Sequence, residues 1–109
     1  MQELIKRINH FRDEREWQQF HCPKDLALSI CLEAAELLEN FQWLTDEEAV
    51  EQNEENIRQE LADVLIYSLM LASDLNVDVT EIIDSKMALN AKKYPVEKSK
   101  GNKEKYSEL

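Results

Sequence analysis

The stretch Glu60-Leu61-Ala62-Asp63-Val64-Leu65-Ile66-Tyr67 limits what this chain can fold into more than any other. Apolar or small residues fill nearly every position from Leu61 to Ala72, which predicts a helix buried on most of its faces. Glu60 and Asp63 interrupt it three residues apart, so they share one helix face with Cβ atoms about 5–6 Å apart. Tyr67 falls on the same stripe one turn later. A carboxylate in such surroundings is costly unless something compensates it. The same device occurs upstream, where Glu33 and Glu36 stand in Leu32-Glu33-Ala34-Ala35-Glu36-Leu37-Leu38. Two helices carrying such pairs can bring all these carboxylates into one pocket. A hard divalent cation is the simplest remedy for their repulsion. Oxygen donors favour Mg²⁺, Mn²⁺ or Ca²⁺ over zinc.

With one Gly and two Pro in 109 residues, little punctuation is available for strands or hairpins, and the fold expected is all-α. The first helix is expected over Gln2–Phe20, with Leu4, Ile5, Ile8, Phe11 and the stem of Arg15 on its apolar stripe. Arg12, Asp13, Glu14 and Glu16 cover its other side, and His21-Cys22-Pro23 ends it. A second helix runs from Pro23 or Lys24 to near Trp43, with Leu26, Ala27, Ile30, Cys31, Ala34, Leu37, Leu38 and Phe41 recurring every three or four residues. Cys31 reads as a core residue. Thr45-Asp46-Glu47-Glu48 is a capping-box pattern opening a short helix through Val50, and residues 51–55 read as a solvated acidic segment. A third helix follows over Asn56–Leu75. Asn76-Val77-Asp78 is a turn with Asp78 or Thr80 as N-cap. A fourth helix covers Val79–Lys93 and stops at Pro95. Residues 96–109 are polar and Lys-rich, and read as a tail behind a helical domain over 1–95. The arrangement implied is a four-helix bundle-like fold with antiparallel neighbours. The third helix is apolar on more faces than one small bundle covers, which predicts a homodimer or a homotetramer built as a dimer of dimers.

The net charge of −10 argues against a nucleic-acid polymer as partner, because phosphate backbones need cationic surface. A small phosphorylated ligand stays open, since metal ions invert local electrostatics. Cys22 and Cys31 form no C-x-x-C motif, so a reducing cytoplasm is expected. The start Met1-Gln2-Glu3-Leu4 lacks the pattern of a signal peptide. The longest apolar run contains Asp63 and is too short to span a membrane. Neither His10 nor His21 forms an E-x-x-H pair, which counts against a di-iron carboxylate oxidase and against histidine as a metal ligand.

E-x-x-E at Glu33/Glu36, followed about two dozen residues later by E-x-x-D at Glu60/Asp63, resembles the MazG-like all-α nucleoside triphosphate pyrophosphohydrolases. Further segments look like the dCTP pyrophosphatase group within it: Arg15–His21, Phe41-Gln42-Trp43, Asp63–Tyr67, Ser85-Lys86-Met87, Asn90 through Tyr94-Pro95, and Lys105–Leu109. The resemblance implies Mg²⁺-dependent cleavage of a (deoxy)nucleoside triphosphate to monophosphate and pyrophosphate, with Mn²⁺ as a substitute ion. It implies Glu33, Glu36, Glu60 and Asp63 as metal ligands. Lys86, Asn90 and Tyr94 would contact phosphates or sugar, Tyr67 would line the site, and Trp17 and Trp43 would flank the base. The tail resembles a segment that folds over the site or a neighbouring subunit, which would bring Lys100 and Lys105 toward phosphates. The chain departs from the pattern at Ile8, where the eukaryotic dCTP enzymes place a histidine near the base, and this weakens a strict cytosine preference.

Chemistry fits these positions. Cleaving a phosphoanhydride needs neutralised phosphate charge and an activated water, and one carboxylate not saturated by metal can act as base; Glu36 is the candidate. Lys86 adds compact positive charge, with Asn90 one turn later on the same face. Aromatic faces at Trp17 and Trp43 suit stacking on a base. The bland alternatives are solvated acid pairs, tryptophans anchoring a core, and a surface lysine. Two other functions remain open: a nucleotide-binding or regulatory helical assembly without turnover, and a phosphohydrolase releasing orthophosphate.

Overall fold

The computed structural model of the protein describes residues 1–103. Helices α1 (Gln2–Glu14), α2 (Pro23–Glu39), α3 (Asp46–Asp74), α4 (Val79–Lys93) and α5 (Val96–Ser99) follow in order, with a 3₁₀ turn at Trp17–Phe20. No strand occurs among the described residues, so the expected all-α class holds. The chain forms two compact units, Met1–Val77 and the residues from Asp78 onward.

In the first unit α2 and α3 pack antiparallel, and α1 lies against α3. Leu26 of α2 and Ala49 of α3 are fully buried, and Ile8, Leu69 and Met70 complete the core. The first helix is shorter than its sequence pattern predicts. It ends at Glu14, because Glu16 takes a left-handed conformation at φ 54°. The Arg15 guanidinium then stacks 3.7 Å from the Phe11 ring, and Phe11 meets Trp17 edge-on with ring centroids 5.9 Å apart. Arg12 is not on the solvated side. It is 2% exposed and forms a bidentate pair with Asp74 at 2.7 and 2.9 Å, while Asn9 Nδ2 donates to Ser73 Oγ beside it.

Helix α2 also stops early, at Glu39. The side chain of Asn40 folds back to donate to the carbonyls of Glu36 and Leu37, and tight turns follow through Leu44. Trp43 sits at φ 66°, a costly conformation for a bulky residue. The capping box at Thr45 and Glu48 is present in both directions, at 3.2 and 2.9 Å. It opens a far longer helix than expected: residues 51–55 are helical, and α3 runs for 29 residues with one non-helical residue at Asn53. No Gly or Pro interrupts 46–74, and Glu54–Arg58 and Glu55–Gln59 contacts support the acidic stretch one turn apart.

Two burial expectations fail for the single chain. Cys31 is exposed. Helix α3 is not covered all round, since Leu61 and Leu65 are about half exposed (47% and 53%).

In the second unit Asp78 is the N-cap of α4, its Oδ1 accepting from the Glu81 amide at 3.0 Å. Lys92 and Lys93 in the last turn suit the helix dipole. Val96–Ser99 forms a helical turn where composition predicts only a tail. Lys105 and the other residues from 104 onward lie outside the described residues.

Candidate active site

Three of the four acids expected from α2 and α3 meet in one cluster, and Asp63 is not among them. One carboxylate oxygen each from Glu33, Glu36 and Glu60 lie within 4.8 Å of one another. Antiparallel packing explains it, because an i, i+3 pair on one helix faces an i, i+3 pair on the other. Burial pushes the Glu33 carboxyl up to about 7, helped by hydrogen bonds with Glu36 and Glu60 and by the charges of Glu36 and Asp63. Glu60 is raised for the same leading reason. Glu33 Oε2 and Glu60 Oε2 are buried without any hydrogen-bond partner. Buried orphan carboxylate oxygens converging from two helices are the donor set a hard divalent cation takes. The residues present therefore fit such an ion.

Asp63 stands one turn beyond Glu60, close enough for its charge to raise Glu33, and it borders a cavity of about 620 Å³. That volume is within the range of small-molecule sites. The walls come from α1, the 3₁₀ turn and α3, and include Ile8, Phe11, Trp17, Ile66 and Met70. Tyr67 lines it too. Desolvation, then the charges of Glu33, Asp63 and Glu36, raise its phenol above the ordinary value. His21 meets the Tyr67 ring edge-on at 6.2 Å, and its Nδ1 is buried without a partner.

Residues 28–109 match the MazG-like family. The chain belongs to the MazG-like family. Among its relatives, dCTP pyrophosphatase 1 of Mus musculus is 41% identical over 113 residues, covering 98% of this chain and 66% of that protein. The Homo sapiens protein of the same name is 40% identical with the same coverage. The chain thus spans about two thirds of the length of these relatives. A pyrophosphatase from Archaeoglobus fulgidus, known from its crystal structure, is 42% identical, superposes with a TM-score of 0.83, and is matched over 87% of this chain and 92% of that one.

Seen as a MazG-like protein, the chain gathers Glu33, Glu36, Glu60, Asp63, Tyr67 and Trp17 around one acid cluster and its adjoining cavity. Trp43 is not among the cavity's lining residues; it is 92% exposed on the turns after α2. Lys86 and Asn90 are exposed on α4, and Tyr94 is that helix's C-cap, all within the second unit. Sequence reasoning set His21 aside because it looked only for metal ligands. The signal was its place at the end of the aromatic-rich run Trp17–His21, two residues before the proline that starts α2. Arg7, another lining residue, carries no such signal.

Proposed function

We propose that this MazG-like chain hydrolyses a (deoxy)nucleoside triphosphate, with dCTP or a modified dCTP as the leading substrate, to monophosphate and pyrophosphate. The observation that carries the reading is the meeting of Glu33, Glu36 and Glu60, with orphaned buried oxygens, beside a largely apolar cavity bordered by Asp63. The names of the mammalian relatives and of the archaeal pyrophosphatase support it. Glu33, Glu36, Glu60 and Asp63 hold Mg²⁺, for which Mn²⁺ can substitute. Bound there, the ion neutralises phosphate charge and lowers the pKa of water.

The protein's own groups do the rest. Glu36 is exposed where Glu33 and Glu60 are half-buried, so it is the ligand least saturated by the ion and the one placed to take the proton of the attacking water. The water oxygen bonds to the α-phosphorus as the bond to the bridging oxygen breaks, and pyrophosphate leaves with that electron pair. Trp17 stacks on the base, and Trp43 flanks it. Tyr67 stays protonated at neutral pH and orients the sugar or phosphate through its hydroxyl. Lys86, Asn90 and Tyr94, all in the second unit, are assigned to phosphate or sugar contacts by the family resemblance alone. Ile8 is buried in the cavity wall and offers the base no hydrogen bond, so selection there is by shape.

The exposed apolar side chains support a homodimer or a dimer of dimers: Leu32, Leu38 and Met87 are 64%, 69% and 63% exposed. No described helix is long and apolar enough to cross a membrane. Free thiols at Cys22 and Cys31 support a reducing cytoplasm. The deciding experiment is product analysis on a panel of nucleoside triphosphates, including 5-substituted dCTP, with Mg²⁺ and again with EDTA. Monophosphate plus pyrophosphate, lost with EDTA, is the expected result. Orthophosphate as the product, or binding without turnover across the panel, would overturn the reading.

A further inference from the structure

We infer that Asn40 and Asn56 are positioning residues that hold α2 and α3 in the register the acid cluster needs to bind a divalent cation; the inference rests on the metal-site reading above. Asn40 is only 7% exposed, at the end of α2. Its Nδ2 donates to the carbonyls of Glu36 and Leu37 at 3.3 and 3.2 Å. Its Oδ1 accepts from Asn56 Nδ2 at 2.7 Å, and its main-chain carbonyl accepts from Asn53 Nδ2 at 2.8 Å. The amide thus satisfies its donors and its acceptor against two helices at once, as a buried polar side chain must. Asn53 reaches it at the one residue where α3 leaves helical geometry, at φ −118° and ψ 21°.

The position of this contact gives it meaning. Asn40 is one turn beyond Glu36 on α2, and Asn56 is one turn before Glu60 on α3. Because the helices run antiparallel, the Asn40–Asn56 contact and the Glu36–Glu60 approach are successive layers of one interface, and Glu33 with Asp63 forms the next. Carboxylates stacked in this way repel once ionised, and the charged cluster then has no directional contact of its own to resist a slide or a splay before a cation arrives. An apolar pair one turn away would tolerate such a shift, since burial has no direction. A directional amide pair does not, and it adds no charge to an already acidic site. A buried asparagine that fixes the register of packed helices is a known use of the residue.

The test is Mn²⁺ binding to the full chain, followed by the electron paramagnetic resonance of the free ion, with circular dichroism and thermal melts on the same samples. Asn56 is exposed, so Asn56→Leu does not crowd the core. It should weaken Mn²⁺ binding about tenfold or more, as loss of outer-shell support does elsewhere, while helical content at 25 °C is unchanged. Asn40→Leu/Asn56→Leu replaces both partners with apolar groups but also removes the Asn40 Nδ2 donor from the Glu36 and Leu37 carbonyls, so it should regain only part of the melting temperature lost by the single variant. Its Mn²⁺ affinity should stay weak, which separates positioning from mere stabilisation. Either variant binding Mn²⁺ as tightly as the wild type would overturn the inference. A wild-type chain that binds no Mn²⁺ would instead overturn the metal-site reading itself, and the inference with it.

Discussion

Removing Asp74 should unfold the first unit more readily than removing any surface acid, and the structure says by how much. Arg12 Nη2 and Nη1 reach the two Asp74 oxygens at 2.7 and 2.9 Å, with side chains only 3% and 17% exposed. Arg12 Nε is buried with no partner, so the guanidinium already depends on Asp74 for its compensation. Breaking a buried pair by deleting one member costs about 3–5 kcal/mol, because the other charge stays behind. Water reaches the Asp74 carboxylate to a small extent, so about 3 kcal/mol is the expected loss for Asp74→Ala. In a unit of this size that lowers the melting temperature by roughly 12–24 °C. Urea titration followed by circular dichroism measures the free energy directly. Arg12→Met/Asp74→Leu removes both charges and should fall within about 1 kcal/mol of the wild type. The pair also ties α1, which supplies Ile8 and Phe11 to the cavity wall, to the end of α3. Asp74→Ala should therefore raise KM for the nucleotide more than it lowers kcat. A loss below about 1 kcal/mol for Asp74→Ala would show that solvent already screens the pair, and the reasoning would fail.

Asp63→Asn keeps the shape of the acid cluster and removes one charge; turnover should fall at least about a hundredfold, with the melting temperature of the metal-free protein unchanged or slightly raised. Turnover within a few fold of the wild type would remove Asp63 from the site. The Glu33 carboxyl, held at about 7 against an ordinary 4.5, keeps a proton in the folded chain that the unfolded chain has already lost. Its contribution to metal-free stability is therefore complete below pH 4.5 and is lost as the pH rises through 7. Thermal melts in EDTA should fall across that window, Glu33→Gln should flatten the slope, and Mg²⁺ should restore stability above it. A metal-free melting temperature that rises with pH across the window in the wild type, relative to Glu33→Gln, would refute the assignment.

What was legible in the sequence follows from what periodicity encodes. An i, i+3 spacing puts both acids of a pair on one helix face, so a meeting of Glu33, Glu36 and Glu60 was legible in the sequence once the apolar surroundings of Glu60 and Asp63 were set against the alternative of solvated pairs. The caps were legible for the same local reason: Thr45 and Asp78 act on amides three residues away. The ends of helices read poorly, because they depend on contacts the pattern does not contain. Helix α1 ends where Glu16 adopts a left-handed turn between Phe11 and Trp17, and α2 ends where Asn40 folds onto its own last carbonyls. The acidic run 51–55 looked solvated and is exposed except at Asn53, but exposure does not forbid a helix that starts from a strong capping box and meets no Gly or Pro.

The polar residues whose partners the pattern could not show share one property. Arg12, Asn40 and Asn56 each satisfy a partner on another helix, and a helical wheel shows only the face a residue takes, not the group waiting across from it. Arg12 looked like one more charge on a solvated face until Asp74, at the far end of α3, was set beside it. Asn40 had no mark in the sequence beyond ending an apolar run. Natural sequences depart from simple patterning where a site must hold costly groups together. Here the costly groups are carboxylates, and the departures border them: an amide pair one turn away on α2 and α3, and an ion pair pinning the helix that walls the adjoining cavity. The cluster alone would be an unstable way to end a helix interface. It is tolerable because neutral hydrogen bonds and one buried ion pair fix the helices around it, so that the repulsion remaining in the metal-free protein is available to drive cation binding.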